Sequence, residues 1–129
     1  MKKTVVQVPG LWDSRANGYS QCVTAGGLVF IAGQVGTTED HIVSDDFETQ
    51  IRQLWANMRR ALEAGGSDLN HLVHTTTHLS DLSYARKFME IRIDVLGKDF
   101  PTSAVLGGAK FIRPGVFAEM QAIAIQKTA

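Results

Sequence analysis

Between Asp46 and Ala64, the apolar residues Phe47, Ile51, Leu54, Trp55, Met58, Ala61 and Leu62 recur at spacings of three, four and seven. That period gathers them into one stripe of an α-helix, which must be buried against another apolar surface. Asp45, three residues before Glu48, predicts a capping box, and Gly65-Gly66 predicts the stop. A second stripe, Tyr84, Phe88, Ile91 and Val95, predicts a helix over 83–96 with Asp81 or Ser83 as cap and Gly97 at its end. Two amphipathic helices in a chain of 129 residues need a sheet to lie on.

The remaining segments supply it. Residues 3–8 read as an edge strand stopped by Pro9-Gly10. Residues 20–25 and 28–35 are apolar and β-branched, and Gly26-Gly27 between them signals a hairpin. Further strands are predicted over 72–79, 103–111 and 116–126. The order β-β-β-α-β-α-β-β specifies one α+β domain over residues 1–129, with a mixed sheet and both helices on one face. In the last strand, Val116, Ala118, Met120, Ala122 and Ala124 point one way and Phe117, Glu119, Gln121, Ile123 and Ile125 the other. Both rows are largely apolar, so the face without helices is expected to pack against another copy. Gly33, late in its strand, predicts a bulge or a close approach to another group.

Composition narrows the function. The 13 basic and 13 acidic side chains cancel, so no global field draws polyanions or anionic membranes, and no nucleic-acid partner is expected. No stretch has the length of a membrane span, and residues 4–9 are too short and polar for a signal-peptide core. The single Cys22 excludes an internal disulfide and fits a reducing cytoplasm.

Glu119 is the one acid in the last strand. It is either a strand-end carboxylate in solvent or paired with a cation, or a partly desolvated pocket acid that holds and activates a water. Tyr19 is either an aromatic at the core edge or a platform for a flat, conjugated ligand. His74 and His78 share a strand face but stand about 13 Å apart, too far for one zinc, and nothing completes a ligand set with His71; no metal is expected. Cys22 reads as a small apolar core group, and no nucleophile elbow or phosphate-cradling glycine pattern is present.

Tyr19-Ser20-Gln21 followed by Leu28 to Gln34, Thr75 to Asp81, Phe100-Pro101-Thr102-Ser103 and Val116 to Ala124 resemble the YjgF-like, or Rid (reactive intermediate deaminase), proteins. The likeness covers nearly the whole chain from Tyr19 onward. It implies a chorismate-mutase-like fold, a homotrimer with a barrel-like centre, and ligand clefts between subunits. It also implies hydrolysis of enamines and imines to a 2-keto acid and ammonia, without metal or cofactor. By the same resemblance, Tyr19, Gly33 and Glu119 line the pocket, with Glu119 as the acid that holds the water.

Two positions depart from the family pattern. Deaminating members carry an arginine after the proline motif to clamp the substrate carboxylate; here Thr102 is followed by Ser103. Phe88 stands where some members have a polar residue, which makes it a candidate ligand contact together with Thr102 and Ser103. Losing a bidentate arginine predicts a substrate other than the usual small imino acid, unless Arg113 restores the charge. The leading expectation is a cofactor-independent hydrolase or deaminase. The alternatives are a non-catalytic small-molecule binding or sensing trimer, or an endoribonuclease or translation inhibitor, which zero net charge disfavours.

Overall fold

The first helix, α1 (Phe47–Ala64), buries Ile51, Leu54, Trp55, Met58, Ala61 and Leu62, the stripe that its sequence period defines. In the computed structural model, which describes residues 1–127, it lies on a six-stranded sheet with α2 (Ala85–Leu96). The strands are β1 (Lys3–Val6), β2 (Cys22–Ala25), β3 (Leu28–Gln34), β4 (Leu72–Leu79), β5 (Thr102–Leu106) and β6 (Ala118–Ile125). Their spatial order is β1-β2-β3-β6-β4-β5. Only the β4–β5 pair is parallel, because α2 carries the chain back across the sheet between them. The element order and the mixed α+β sheet agree with the sequence reading.

Several boundaries differ from it, three of them for a definite physical reason. The N-cap of α1 is Asp46 rather than Asp45: its carboxylate accepts from the Thr49 backbone N–H at 2.9 Å and from the Thr49 hydroxyl at 2.7 Å. Asp46 has the extended backbone that a cap requires, and Thr49, not Glu48, completes the bond. The second helix starts later than expected, after a 3-10 turn over Leu82–Tyr84 that Asp81 stabilises by accepting from the Ser83 N–H. Finally, β5 ends at Leu106 rather than at Phe111, where Gly107 and Gly108 begin an irregular loop. The hairpin turn between β2 and β3 does need its glycines, since Gly26 and Gly27 both adopt positive φ.

β6 runs through the middle of the sheet and shows the two rows that alternation requires. Ala118, Met120, Ala122 and Ala124 are buried under the helices with Val29, Phe88 and Ile91. The other face carries no helix. There Leu28, Phe30, Leu106 and Ile125 are between 37% and 48% exposed and form an apolar patch on the open face.

Candidate functional site

Glu119 is the second residue of β6 and is half-buried on the face opposite the helices. Its backbone pairs with His78 of β4 on one side. On the other side the β3–β6 register slips: Ile31 faces Ala122, but Gln34 faces Met120, so Ala32 and Gly33 together oppose Gln121. This is a β-bulge, which re-aims the strand and leaves Gly33 against Glu119. A Cβ at position 33 would lie 2.6 Å from both Cδ and Oε1 of Glu119, so any side chain there would displace the carboxylate. The bulge and the close approach are the two features that Gly33 predicts from sequence.

The carboxylate faces a cavity of about 680 Å3 whose wall includes Trp12, Tyr19, Gly33, Asn57, Arg113 and Glu119. Among the described residues, no side chain hydrogen-bonds Glu119 and no cation lies within 4.0 Å of it. Both oxygens are therefore left to accept from water or a ligand. Tyr19 is 41% exposed and packs edge-on against Trp12, ring centroids 6.1 Å apart. Burial first, and then the negative charge of Glu119, raise the Tyr19 hydroxyl above its ordinary pKa, so it stays protonated and able to donate.

The wall is held by side-chain amides and one hydroxyl. Gln34 donates to Gln21 Oε1 at 2.7 Å, and the Ser14 hydroxyl donates to the Tyr19 carbonyl at 2.6 Å, fixing the segment that carries Tyr19. Asn57 of α1 donates to the Val35 and Thr37 carbonyls at 2.9 and 2.8 Å. Gln50, fully buried one helical heptad earlier, donates to the Ser44 and Gly115 carbonyls and accepts from the Phe117 N–H. The sequence reading did not single out these amides. Gln50 and Asn57 nevertheless lie seven residues apart within the apolar stripe of α1, and a polar side chain on a buried helix face needs a partner.

Other expected site residues lie elsewhere. Phe88 is fully buried in the core under α2 and does not line the cavity, so its assignment as a ligand contact is corrected. The reason is helical phase: Phe88 shares a stripe with Ile91, and that stripe faces the sheet. Thr102 and Ser103 sit on β5 at the sheet edge, outside the cavity of their own chain. Thr102 donates to the Val73 carbonyl at 3.0 Å. Ser103 accepts from Arg92 Nη1 at 2.7 Å, so a guanidinium does stand at this position, delivered from α2. Arg113 adds a guanidinium at the cavity rim, where it donates to the His41 carbonyl. Burial pushes the Cys22 thiol up to about 11, which makes it a poor nucleophile and a good core group. His71 is paired with Asp68, and His74 with the Thr102 and Thr76 hydroxyls.

Residues 13–126 match the family model described as Endoribonuclease L-PSP. The chain belongs to this family. A RutC family protein of Pyrococcus horikoshii is 32% identical over 111 residues, covering 84% of this chain and 87% of its own. The human 2-iminobutanoate/2-iminopropanoate deaminase is 31% identical over 110 residues, covering 84% of this chain and 80% of its own. Among solved structures, Rv2704 of Mycobacterium tuberculosis, a member of the YjgF/YER057c/UK114 family, superposes with a TM-score of 0.83 at 30% identity. That superposition covers 96% of this chain and 99% of the other. The fold and the family expected from the motifs are therefore shown. No helix of the described residues is long and apolar enough to cross a membrane.

Proposed function

We propose that this family member is a cofactor-independent hydrolase of enamine or imine metabolites, with Glu119 as the group that holds and activates water. The observation that supports this best is a half-buried carboxylate laid across Gly33 at the wall of the cavity, with no hydrogen-bond or ion-pair partner among the described residues. The name of the human relative supplies the reaction class.

In this reading Glu119 takes one proton from water as its oxygen bonds to the imine carbon, and the nitrogen receives that proton. The carbinolamine then collapses: its hydroxyl proton passes through the carboxylate to nitrogen, ammonia leaves, and the carbonyl product remains. Tyr19 borders the flat substrate and keeps a hydroxyl proton for hydrogen bonding. The description of the family model also raises RNA cleavage. Among the described residues, Arg113 is the only lysine or arginine that lines the cavity, together with His41, and the chain has no net charge, which suits a small molecule better than a polyanion. The test is ammonia release from freshly generated 2-iminopropanoate, measured in the presence of a metal chelator. Release well above the uncatalysed rate is expected; ligand binding without release would favour a binding or sensing protein.

The reading includes a homotrimer in a reducing cytoplasm. Leu28, Phe30, Leu106 and Ile125 on the open sheet face would be buried in a shared barrel-like centre, with each Glu119 cavity at a seam between copies. Light scattering on the eluting peak is expected to report three copies of the 14.1 kDa chain. A monomer would contradict the assembly.

A further inference from the structure

Arg92 stands apart from the arginines that are paired with acids, and, unlike Arg60 and Arg113, which donate to the Gly10 and His41 carbonyls, it bonds a side chain. Arg15 is paired with Asp13, and Arg52 with Glu48 and Asp94, all on exposed carboxylates. Arg92 is half-buried on α2, and among the described residues it has no salt-bridge partner. Burial alone lowers its pKa, with no acid offsetting the loss of water. Its guanidinium carbon lies 5.5 Å from the centroid of the Phe88 ring, which gives the group a fixed surface to lie on. A guanidinium has five N–H donors, and this one spends a single donor on Ser103 Oγ. Ser103 accepts that bond and so keeps its own proton to donate outward. A half-buried guanidinium beside a free hydroxyl proton, at the open edge of a sheet, matches the two oxygens of a carboxylate.

Position decides how such a site could be used. Ser103 pairs with Thr75 and points to the helix side of the sheet with Val105, whereas Glu119 pairs with His78 and points to the open side. The sheet separates the two within one chain, so a small molecule can touch both only where the β5 edge of one copy meets the cavity of another. We propose that Arg92 and Ser103 of one copy bind the carboxylate of a small 2-imino or 2-oxo acid whose reacting carbon lies at Glu119 of its neighbour. This rests on the hydrolase reading and on its seam between copies. It restores small anionic substrates, which Ser103 alone would disfavour, and explains the serine: an arginine at 103 would set two like charges together.

The test compares pyruvate with pyruvamide, a neutral molecule of nearly the same shape, by calorimetric titration of the assembled protein. The wild type is expected to prefer pyruvate. Arg92→Met should weaken pyruvate binding about tenfold, the usual worth of a hydrogen-bonded charge, and leave pyruvamide binding unchanged. Arg92→Lys retains charge and stem but loses the forked geometry; it should give a smaller loss and serves if the Met variant fails to fold. Arg86→Met, an exposed change on the same helix, controls for general loss of charge. Absence of a wild-type preference for pyruvate, or a preference intact in Arg92→Met, overturns the proposal. Imine hydrolysis with an intact preference in Arg92→Met would leave the role of Glu119 standing and remove that of Arg92. A lost preference without any imine hydrolysis would do the reverse.

Discussion

Gln50→Ala is expected to lower the melting temperature by about 10–20 °C. Gln50 has no exposed surface and makes three hydrogen bonds: to the Ser44 and Gly115 carbonyls, each at 2.9 Å, and from the Phe117 N–H at 2.7 Å. Alanine removes all three and leaves three backbone groups without partners around a cavity. Each lost bond costs about 1 kcal/mol, and unsatisfied buried groups add to that, giving roughly 3–5 kcal/mol in total. At this chain length each kcal/mol moves the midpoint by about 3–5 °C. Calorimetry at fixed protein concentration measures the shift, and a change of less than about 3 °C would show that the bracket carries little stability. The loss should also reach the site. Gln50 holds the Phe117 backbone, two residues before Glu119, so activity should fall at temperatures where the variant is still folded. Gln50→Glu is a sharper version, since it keeps the acceptor but places a charge among carbonyl oxygens.

What the sequence revealed and what it hid follow from the range of each interaction. The α1 stripe and the two rows of β6 are periodic, and periodicity is local, so burial on one side and exposure on the other follow from spacing alone. Gly33 was legible because an isolated glycine in a strand pattern marks a missing Cβ that something must occupy, here the Glu119 carboxylate. The Gln50 bracket was not, because its partners lie up to 67 residues away and no spacing rule links them. Phe88 departs from the family pattern, but its helical stripe with Ile91 already puts it in the core rather than at a ligand. Arg92 escaped notice for a related reason. It lies one position beyond the buried Ile91, and only the folded β5 edge shows that its guanidinium reaches Ser103.

The chemistry depends on Glu119, and Glu119→Gln isolates it. The amide has the same shape, and no hydrogen bond to the carboxylate is present among the described residues, so folding and assembly should be nearly unaffected. An amide cannot take a proton from water at neutral pH, so the general-base contribution disappears, worth about 10²–10⁴-fold in rate. The decisive measurement is ammonia release from freshly generated 2-iminopropanoate by wild type and Glu119→Gln side by side, with mass and melting temperature checked on the same samples. The account predicts release by the wild type, a loss of about a hundredfold or more in the variant, and unchanged assembly. A Glu119→Gln variant that released ammonia at the wild-type rate would contradict it.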